Sequence, residues 1–297
     1  MKIEDLSKLD NGAALEIMAL VSDKRIGRKK DGTPFITLII QDNTGSMSFP
    51  LWDNYDHYMN TIEINSVIQI KGFINYFNGA VQIKSPVIRN ATSYDYSDFI
   101  PSYPVPKELY DYFNDIVNGL EEKYKKIAIG ATGAFGTNEK RWNDFTTCVA
   151  AEKFHGNKRG GLFIHTVGVM KAMDAIISNY VGNPFYMDAK DVISRDRLML
   201  KAIVHDLMKA AEYDYEGIIK RKSIKMDHLV LGAAFIREVN KEVGNVLSPE
   251  ELDDICYSIL SHHGEFGNYG TKGIEDILLN IADVADSQIV NAVENKI

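Results

Sequence analysis

Apolar and polar positions alternate with a period of two from about residue 12 to residue 90, then change to a helical period from Lys107 onward. The first stretch divides into AALEIMALVSDKRIGRKK, PFITLIIQD, SMSFPLWD, SVIQIKGFINYF and AVQIKSPVIR, each of which predicts a strand. Asp31-Gly32, Asn43-Thr44-Gly45 and Asn78-Gly79 separate the runs. Asp-Gly and Asn-Gly between β-branched and aromatic residues predict tight hairpins, because such turns need residues that tolerate positive φ. The polar stretch DNYDHYMNTI, between the third and fourth runs, reads as a short helix. Beyond Lys107 the pattern predicts helices near 107–127, 138–155, 161–181, 196–212, 226–243, 249–262 and 273–295, and no further strand. Ser248 and Pro249 suit the N-cap and first position of the sixth helix, and Gly264 suits a helix stop.

Five strands with a helix between the third and fourth is the order of an OB-fold, a five-stranded barrel used for single-stranded nucleic acid. The predicted fold class is therefore multidomain, β plus all-α, with the barrel at residues 1–90 and a helical domain at 107–297. Residues 91–106, ATSYDYSDFIPSYPVP, hold Pro101, Pro104 and Pro106 and read as an extended, semi-rigid linker. Lys24, Arg25, Arg28, Lys29 and Lys30 cluster at the first hairpin as candidates to track a phosphate backbone. Phe35, Phe49, Trp52, Phe73, Tyr76 and Phe77 supply rings for stacking bases, with Trp52 and Phe73 also read as core. The competing reading is a solvated hairpin over ordinary core aromatics.

Composition narrows the class only a little. Hydrophobic content of 45% and charged content of 25% suit a soluble globular chain of 297 residues. No unbroken apolar run reaches the roughly 18 residues of a membrane span, and the N-terminus lacks a signal-peptide core, so no membrane partner is expected. Cys148 and Cys256 are the only cysteines, both in apolar helical surroundings, which predicts inert thiols and a cytoplasmic location. The first 90 residues balance ten basic against ten acidic side chains, so the whole net charge of −8 falls on the remainder. That excess argues against a general nucleic-acid coat.

The helical part carries the chemistry. His165 lies in GGLFIHT, His205-Asp206 in AIVHDLMK, His228 in MDHLVLG, His262-His263 in ILSHHG and Asp283 in NIADVAD. Each interrupts an otherwise apolar stretch, where an imidazole or carboxylate is costly unless satisfied. Taken singly, each has a bland reading: a hydrogen-bonded core histidine, or an acid paired with Lys or Arg. Taken together they predict a divalent-metal site, because nitrogen and oxygen ligands without thiolate suit Mn, Fe, Co, Zn or Mg. Adjacent His205 and Asp206 diverge by about 100° on a helix, an awkward pair for one ion that suits an Asp206 shared between two. Asp283 and Asp286 lie three apart, where like charges repel unless a cation intervenes.

The order His, His-Asp, His, His-His, Asp on a helical scaffold resembles the HD phosphohydrolase superfamily. GGLFIHT, AIVHDLMKAAEY, DHLVLGA, LSHHGEFGNYG and IADVADSQI, with GTPFITLIIQDNTGSMSFPLWD in the barrel, resemble the YhaM-type 3′→5′ exoribonucleases, over nearly the whole chain. The resemblance implies that His165, His205, Asp206 and Asp283 hold one metal. Asp206 would bridge to a second, held by His228, His262 and His263. It implies two divalent ions, manganese first, with cobalt, iron, magnesium or zinc as alternatives. Lys209, kept after His-Asp, is the candidate to steady developing charge beside the catalytic Asp206. Met208 departs from the family's usual glycine and is expected to narrow the site mouth. HHGEFGNYG also faintly resembles HD-type cyclic-dinucleotide phosphodiesterases but lacks their terminal Pro.

Further substrate contacts are expected from His155, Lys158 and Arg159 before the first ligand helix, and from the run Lys220, Arg221, Lys222 and Lys225, each against the alternative of a solvated loop. The resemblance implies a metal-dependent 3′→5′ exonuclease on single-stranded RNA, with DNA as a second substrate, releasing nucleoside 5′-monophosphates. Two rivals stand beside it: an HD-type hydrolase of small nucleotides or cyclic dinucleotides, and a non-catalytic single-strand-binding protein. A homo-oligomer is compatible with each of the three.

Overall fold

The alternation in the first 90 residues is realised as five antiparallel strands in a computed structural model, which describes residues 1–152, 156–181, 183–186, 188–214 and 219–294. They are β1 (Ala14–Arg28), β2 (Pro34–Asp42), β3 (Gly45–Leu51), β4 (Val67–Phe77) and β5 (Ala80–Asn90), with α1 (Tyr55–Thr61) between β3 and β4. Their order in the sheet is β3-β2-β1-β4-β5, and β3 comes back against β5, giving the five-stranded OB-fold. β1 is long enough to serve two partners: its first half pairs with β4 and its second half with β2. A register shift between Val21 and Asp23 falls where it changes partner, the kind of irregularity that bends a strand around a barrel. Leu15, Ile17, Ala19 and Val21 of β1 point inward with Ile36, Leu38 and Ile40 of β2. The Asn78-Gly79 turn has both residues at positive φ (50° and 79°), as a two-residue hairpin requires.

Residues 91–102, expected as part of a linker, cluster with the barrel. Phe99 is buried against Leu20 and Val67. An apolar side chain inside a proline-flanked stretch was enough to dock it.

The second unit comprises residues 103–214 and 219–297. Its elements are α2 (Lys107–Gly119), α3 (Glu122–Thr132), α4 (Glu139–Thr147), α5 (Gly161–Tyr180), α6 (Ala189–Val192), α7 (Arg195–Val204), α8 (Lys209–Glu212), α9 (His228–Glu242), α10 (Pro249–Ser261) and α11 (Ile274–Glu294). The predicted helix at 107–127 is two helices, broken at Leu120-Glu121, where the Asp196 carboxylate accepts the Glu121 N–H at 2.8 Å. The helix expected over 138–155 ends at Thr147; residues 153–155 lie outside the described residues. A two-stranded ladder, β6 (Tyr213–Asp214) with β7 (Lys220–Arg221), was not expected, being too short for any periodic signal. Ser248 and Glu251 form a reciprocal capping box ahead of Pro249, as the sequence predicts.

α5 forms the centre, packed against α7, α11 and α4. By length and mean hydropathy, 1.3 over its most apolar window, it is apolar enough to cross a membrane, although His165, Lys171 and Asp174 interrupt the apolar run. Its apolar residues are instead used in packing: Leu162, Phe163, Val167, Met170, Met173 and Ile177 are all buried. α7, α10 and α11 are tied by an ionic cluster around Lys201, whose side chain is 0% exposed. Its ammonium lies 2.7 Å from Asp254 and 2.9 Å from Glu275, and Arg197 binds Glu275 through two nitrogens at 2.7 and 2.8 Å.

Candidate metal centre

The helix predicted over 196–212 breaks where the chemistry lies. α7 ends at Val204, residues 205–208 form a turn, and α8 starts at Lys209. The Lys209 N–H bonds the Asp206 carbonyl at 2.9 Å, a tight turn that follows His205, the C-cap of α7. The His205 and Asp206 side chains are buried and face the same interior space as His165 of α5, His228 at the start of α9, His262 and His263 just after α10, and Asp283 of α11.

Asp206 sits between two groups of imidazoles. Its Oδ2 lies 3.3 Å from His205 Nε2 and 3.5 Å from His165 Nε2. Its Oδ1 lies 3.3 Å from His228 Nε2 and 3.5 Å from His262 Nε2. Asp283 Oδ1 adds a contact of 3.1 Å to His165 Nε2. Two sets of ligand atoms result, each within 4.8 Å internally: His165, His205 and Asp283 in one, Asp206, His228, His262 and His263 in the other.

The outer nitrogens explain why the inner ones converge. Nδ1 of His205 donates to the Ala202 carbonyl at 2.7 Å, and Nδ1 of His262 to the Ile259 carbonyl at 2.8 Å. Nδ1 of His165 donates to Asp286 at 2.8 Å, and Nδ1 of His228 to Glu212. Carbonyls and carboxylates only accept, so the proton is fixed on Nδ1. Each Nε2 is turned inward. Such partners orient metal-ligating imidazoles and raise their basicity.

Sequence reasoning missed Asp286 and Glu212 in this role. A signal was present for the first: Gly168 interrupts the apolar run of α5 one turn beyond His165. A Cβ on Gly168 would stand 2.0 Å from Asp286 Oδ1, so glycine is what lets that carboxylate lie against the helix. Asp283 and Asp286 flank His165, with Asp283 Oδ1 3.1 Å from Nε2 and Asp286 Oδ2 2.8 Å from Nδ1.

Burial opposes the charge on His165, yet Asp206, Asp283 and Asp286 lift its pKa well above the ordinary range. His228 is raised likewise, against burial, by Asp206 and Glu212. Burial lowers His262, and burial with the neighbouring His262 lowers His263 to about 4. Burial would neutralise Asp206, but Lys209 and His205 hold its carboxyl well below the usual carboxylate range. The Lys209 ammonium lies 2.6 Å from Asp206 Oδ2.

Three polar atoms at this centre are buried and lack a hydrogen-bond partner among the described residues: Asp206 Oδ1, His228 Nε2 and His262 Nε2. Buried polar atoms are rarely left so. Their mutual approaches lack hydrogen-bonding geometry, whereas a divalent cation uses lone pairs on carboxylate oxygen and imidazole nitrogen. The donor set therefore fits a metal ion of the Mn, Fe, Co, Zn or Mg kind.

A cavity of about 680 Å³ opens onto the centre, with Lys209, His228 and His263 in its lining together with Tyr213, Arg221 and Phe266. Met208 does not line it. That side chain borders a separate cavity with Phe145, Ala211 and Phe235, so it does not narrow the site mouth as expected.

The other sequence candidates scatter. Arg221 borders the metal-facing cavity but its guanidinium is engaged by Glu212. Lys222 lines the separate cavity, Lys158 rests over the Tyr103 ring, and Arg159 binds the Tyr103 N–H through its carbonyl. None of these three lines the cavity over the metal centre. The Lys220 backbone pairs with Asp214, and His155 lies outside the described residues.

On the barrel, Lys24 donates to the carbonyls of Met59 and Ile62 at the end of α1, Arg25 pairs with Asp23, Arg28 donates to Gly32, and Lys29 approaches Asp53 at 3.8 Å. Lys30 is exposed in the turn. Of the five basic side chains, Arg25 and Lys29 thus have a carboxylate neighbour, while Lys24 and Arg28 are held by backbone carbonyls. Trp52 and Phe73, also read as core, are 50% and 49% exposed, and Trp52 packs on Phe35 at 4.5 Å; Phe49 is the ring that is core. Cys148 and Cys256 are buried, which pushes their thiols up to about 12 and about 11.

Fold and site together define an HD-domain protein with an OB-fold module. Residues 162–288 match the HD domain family and residues 15–91 match an OB-fold nucleic acid binding domain of the tRNA anti-codon type. The HD match supports a hydrolase. The chain is similar to the YhaM proteins over most of its length. It is 25% identical over 278 residues to the 3′-5′ exoribonuclease YhaM of Bacillus pumilus, covering 88% of this chain and 80% of that one. The Listeria welshimeri protein of the same name is 24% identical over 270 residues, covering 88% and 79%. Among solved structures, the second OB-fold domain of replication protein A from Methanococcus maripaludis matches 32% of this chain and 98% of that chain. Its identity of 21% and TM-score of 0.22 carry no argument.

Proposed function

We propose that the chain is a metal-dependent 3′→5′ exonuclease acting on single-stranded RNA, with DNA as a second substrate, and releasing nucleoside 5′-monophosphates. The observation that carries the proposal is the inward convergence of four imidazole Nε2 atoms and the Asp283 carboxylate around Asp206, beneath an open cavity. The relatedness to 3′-5′ exoribonucleases over most of the chain supports the direction and the substrate.

In this reading His165, His205, Asp206 and Asp283 hold one ion, and Asp206, His228, His262 and His263 a second. Divalent ions held so would lower the pKa of an attacking water and neutralise charge on phosphoryl oxygens. The protein's own part is to aim the ligands and position the substrate. Asp286 and Glu212 fix the His165 and His228 rings. Lys209 keeps Asp206 ionised and, with its side chain 12% exposed, presents a cation to a phosphate in the cavity. The barrel's exposed Trp52, Phe73 and Phe77 supply stacking surfaces for bases upstream. Tethering the barrel to the hydrolytic unit raises the local concentration of the strand end at the metals.

The test is purified protein with Mn²⁺ on 5′-end-labelled single-stranded RNA. A ladder descending from the 3′ end with 5′-monophosphate products is expected, absent in Asp206→Asn. Shortening from the 5′ end, internal cuts only, or hydrolysis of mononucleotides or cyclic dinucleotides without oligomers would overturn it.

A further inference from the structure

Cleaving a phosphodiester does not require the ring that stands at the rim of the metal-facing cavity. Phe266 borders that cavity with 90% of its surface exposed. A phenyl ring left in water forgoes the free energy of burial, so an exposed one at a site's edge is available to a ligand.

The turn that carries it is pinned to the ligands. The Phe266 N–H bonds the His263 carbonyl at 3.1 Å, the Gly267 N–H bonds the Gly264 carbonyl at 3.1 Å, and the Asn280 side-chain amide donates to the His262 carbonyl at 2.6 Å. Gly264 takes a left-handed φ of +55°, and a Cβ there would lie 2.8 Å from the Asn280 amide nitrogen. The ring is therefore held at a short, fixed span from His262 and His263. Beside it the cavity wall carries Asn268, Ser287 and Gln288, which are neutral hydrogen-bonding groups. The acids that line the cavity are already engaged, Glu212 by His228 and Arg221, Asp227 by the N–H of Val230. A ring next to neutral amides, over a phosphodiester-cleaving centre, suits a nucleobase with its sugar.

We propose that Phe266 is the platform on which the 3′-terminal base of the strand stacks, setting the last phosphodiester over the metals. This rests on the exonuclease reading above. Stacking is indifferent to base identity because every base has a π-face, as a processive trimming enzyme needs. The polar wall then meets the sugar and base edge of the same nucleotide.

The experiment uses the full-length protein and an oligoribonucleotide ending in 2-aminopurine, whose fluorescence is quenched by stacking. In the metal-free protein, where no cleavage occurs, binding is followed independently through the anisotropy of a 5′ dye. The wild type is expected to quench the terminal base, Phe266→Ala to bind without quenching, and Phe266→Tyr to restore it. With Mn²⁺, Phe266→Ala is expected to lose about 5- to 160-fold in kcat/KM, mainly through KM, the factor that one base stack represents. The wild type should lose a similar factor on a strand with an abasic 3′ end, and Phe266→Ala should lose nothing further there. Because Phe266 is exposed, its removal leaves the fold intact. A strand that is bound and trimmed while its terminal base stays bright, or quenching that survives in Phe266→Ala, overturns the platform alone. A protein that neither binds nor trims strands overturns the exonuclease reading and the platform with it.

Discussion

Removing metal should cost this protein stability, and His262 should control how much. Asp206 Oδ1, His228 Nε2 and His262 Nε2 are buried without hydrogen bonds among the described residues. Leaving a buried polar group unmade costs about 1–3 kcal/mol, so the metal-free centre carries roughly 3–9 kcal/mol of unfavourable desolvation. That is comparable with the whole net stability of about 5–15 kcal/mol of a typical domain. An ion that binds only the folded chain, at 100 times its dissociation constant, returns about 2.7 kcal/mol. For a unit of this size each kcal/mol moves Tm by about 2–4 °C, so Mn²⁺ added to chelator-stripped protein should raise Tm by about 5–11 °C. His262→Leu removes one of the three orphaned atoms while keeping an apolar volume. Its metal-free Tm should lie close to that of the wild type, because the lost bond to the Ile259 carbonyl is offset by the lost orphan, and its response to Mn²⁺ should fall to what the His165, His205 and Asp283 set alone supports. Scanning calorimetry with and without Mn²⁺ measures both. A wild type indifferent to Mn²⁺, or a His262→Leu variant that still responds in full, would refute the reasoning.

Asp286→Asn keeps the shape beside Gly168 but weakens the acceptor that orients His165, so Mn²⁺ affinity should fall about 10- to 100-fold by calorimetric titration, while an unchanged affinity would remove Asp286 from the centre. Cys148 and Cys256, with thiols pushed up to about 12 and about 11 by burial, should resist iodoacetamide at pH 8 in the native protein and react in urea, as mass spectrometry would report. Burial opposes the charge on Glu275, but Arg197 and Lys201 hold its carboxyl below the usual range. The stability it contributes is therefore present above the ordinary glutamate pKa and lost as pH falls through the depressed one. Glu275→Gln should flatten that acid limb in urea titrations and cost about 1–3 kcal/mol at neutral pH, the loss of charged hydrogen bonds to Arg197 and Lys201 while Lys201 keeps Asp254 at 2.7 Å; an unaltered acid limb would count against the pairing.

Local rules fixed a good deal. The period-two runs and the Asn78-Gly79 turn define the strands of the barrel because alternation and positive φ are properties of neighbouring residues. Ser248, Pro249 and Glu251 mark the start of α10 for the same reason. The histidines and aspartates announced themselves because polar groups amid apolar helices demand partners wherever the helices go. What those partners are was beyond the sequence. Asp286 reaches His165 across 121 residues, and Glu212 turns His228, through contacts that only the packing of α11 on α5 and of α8 on α9 creates. The break between α7 and α8 falls at His205 and Asp206, although helical periodicity runs unbroken through AIVHDLMKAAE. At the first hairpin, folding brings Asp53 to Lys29 and the α1 carbonyls to Lys24, contacts that charge proximity along the chain does not show. Residue type and spacing thus decide which groups need satisfying, while long-range packing decides what satisfies them, because a hydrogen bond or a ligand shell depends on distance in space and not along the chain.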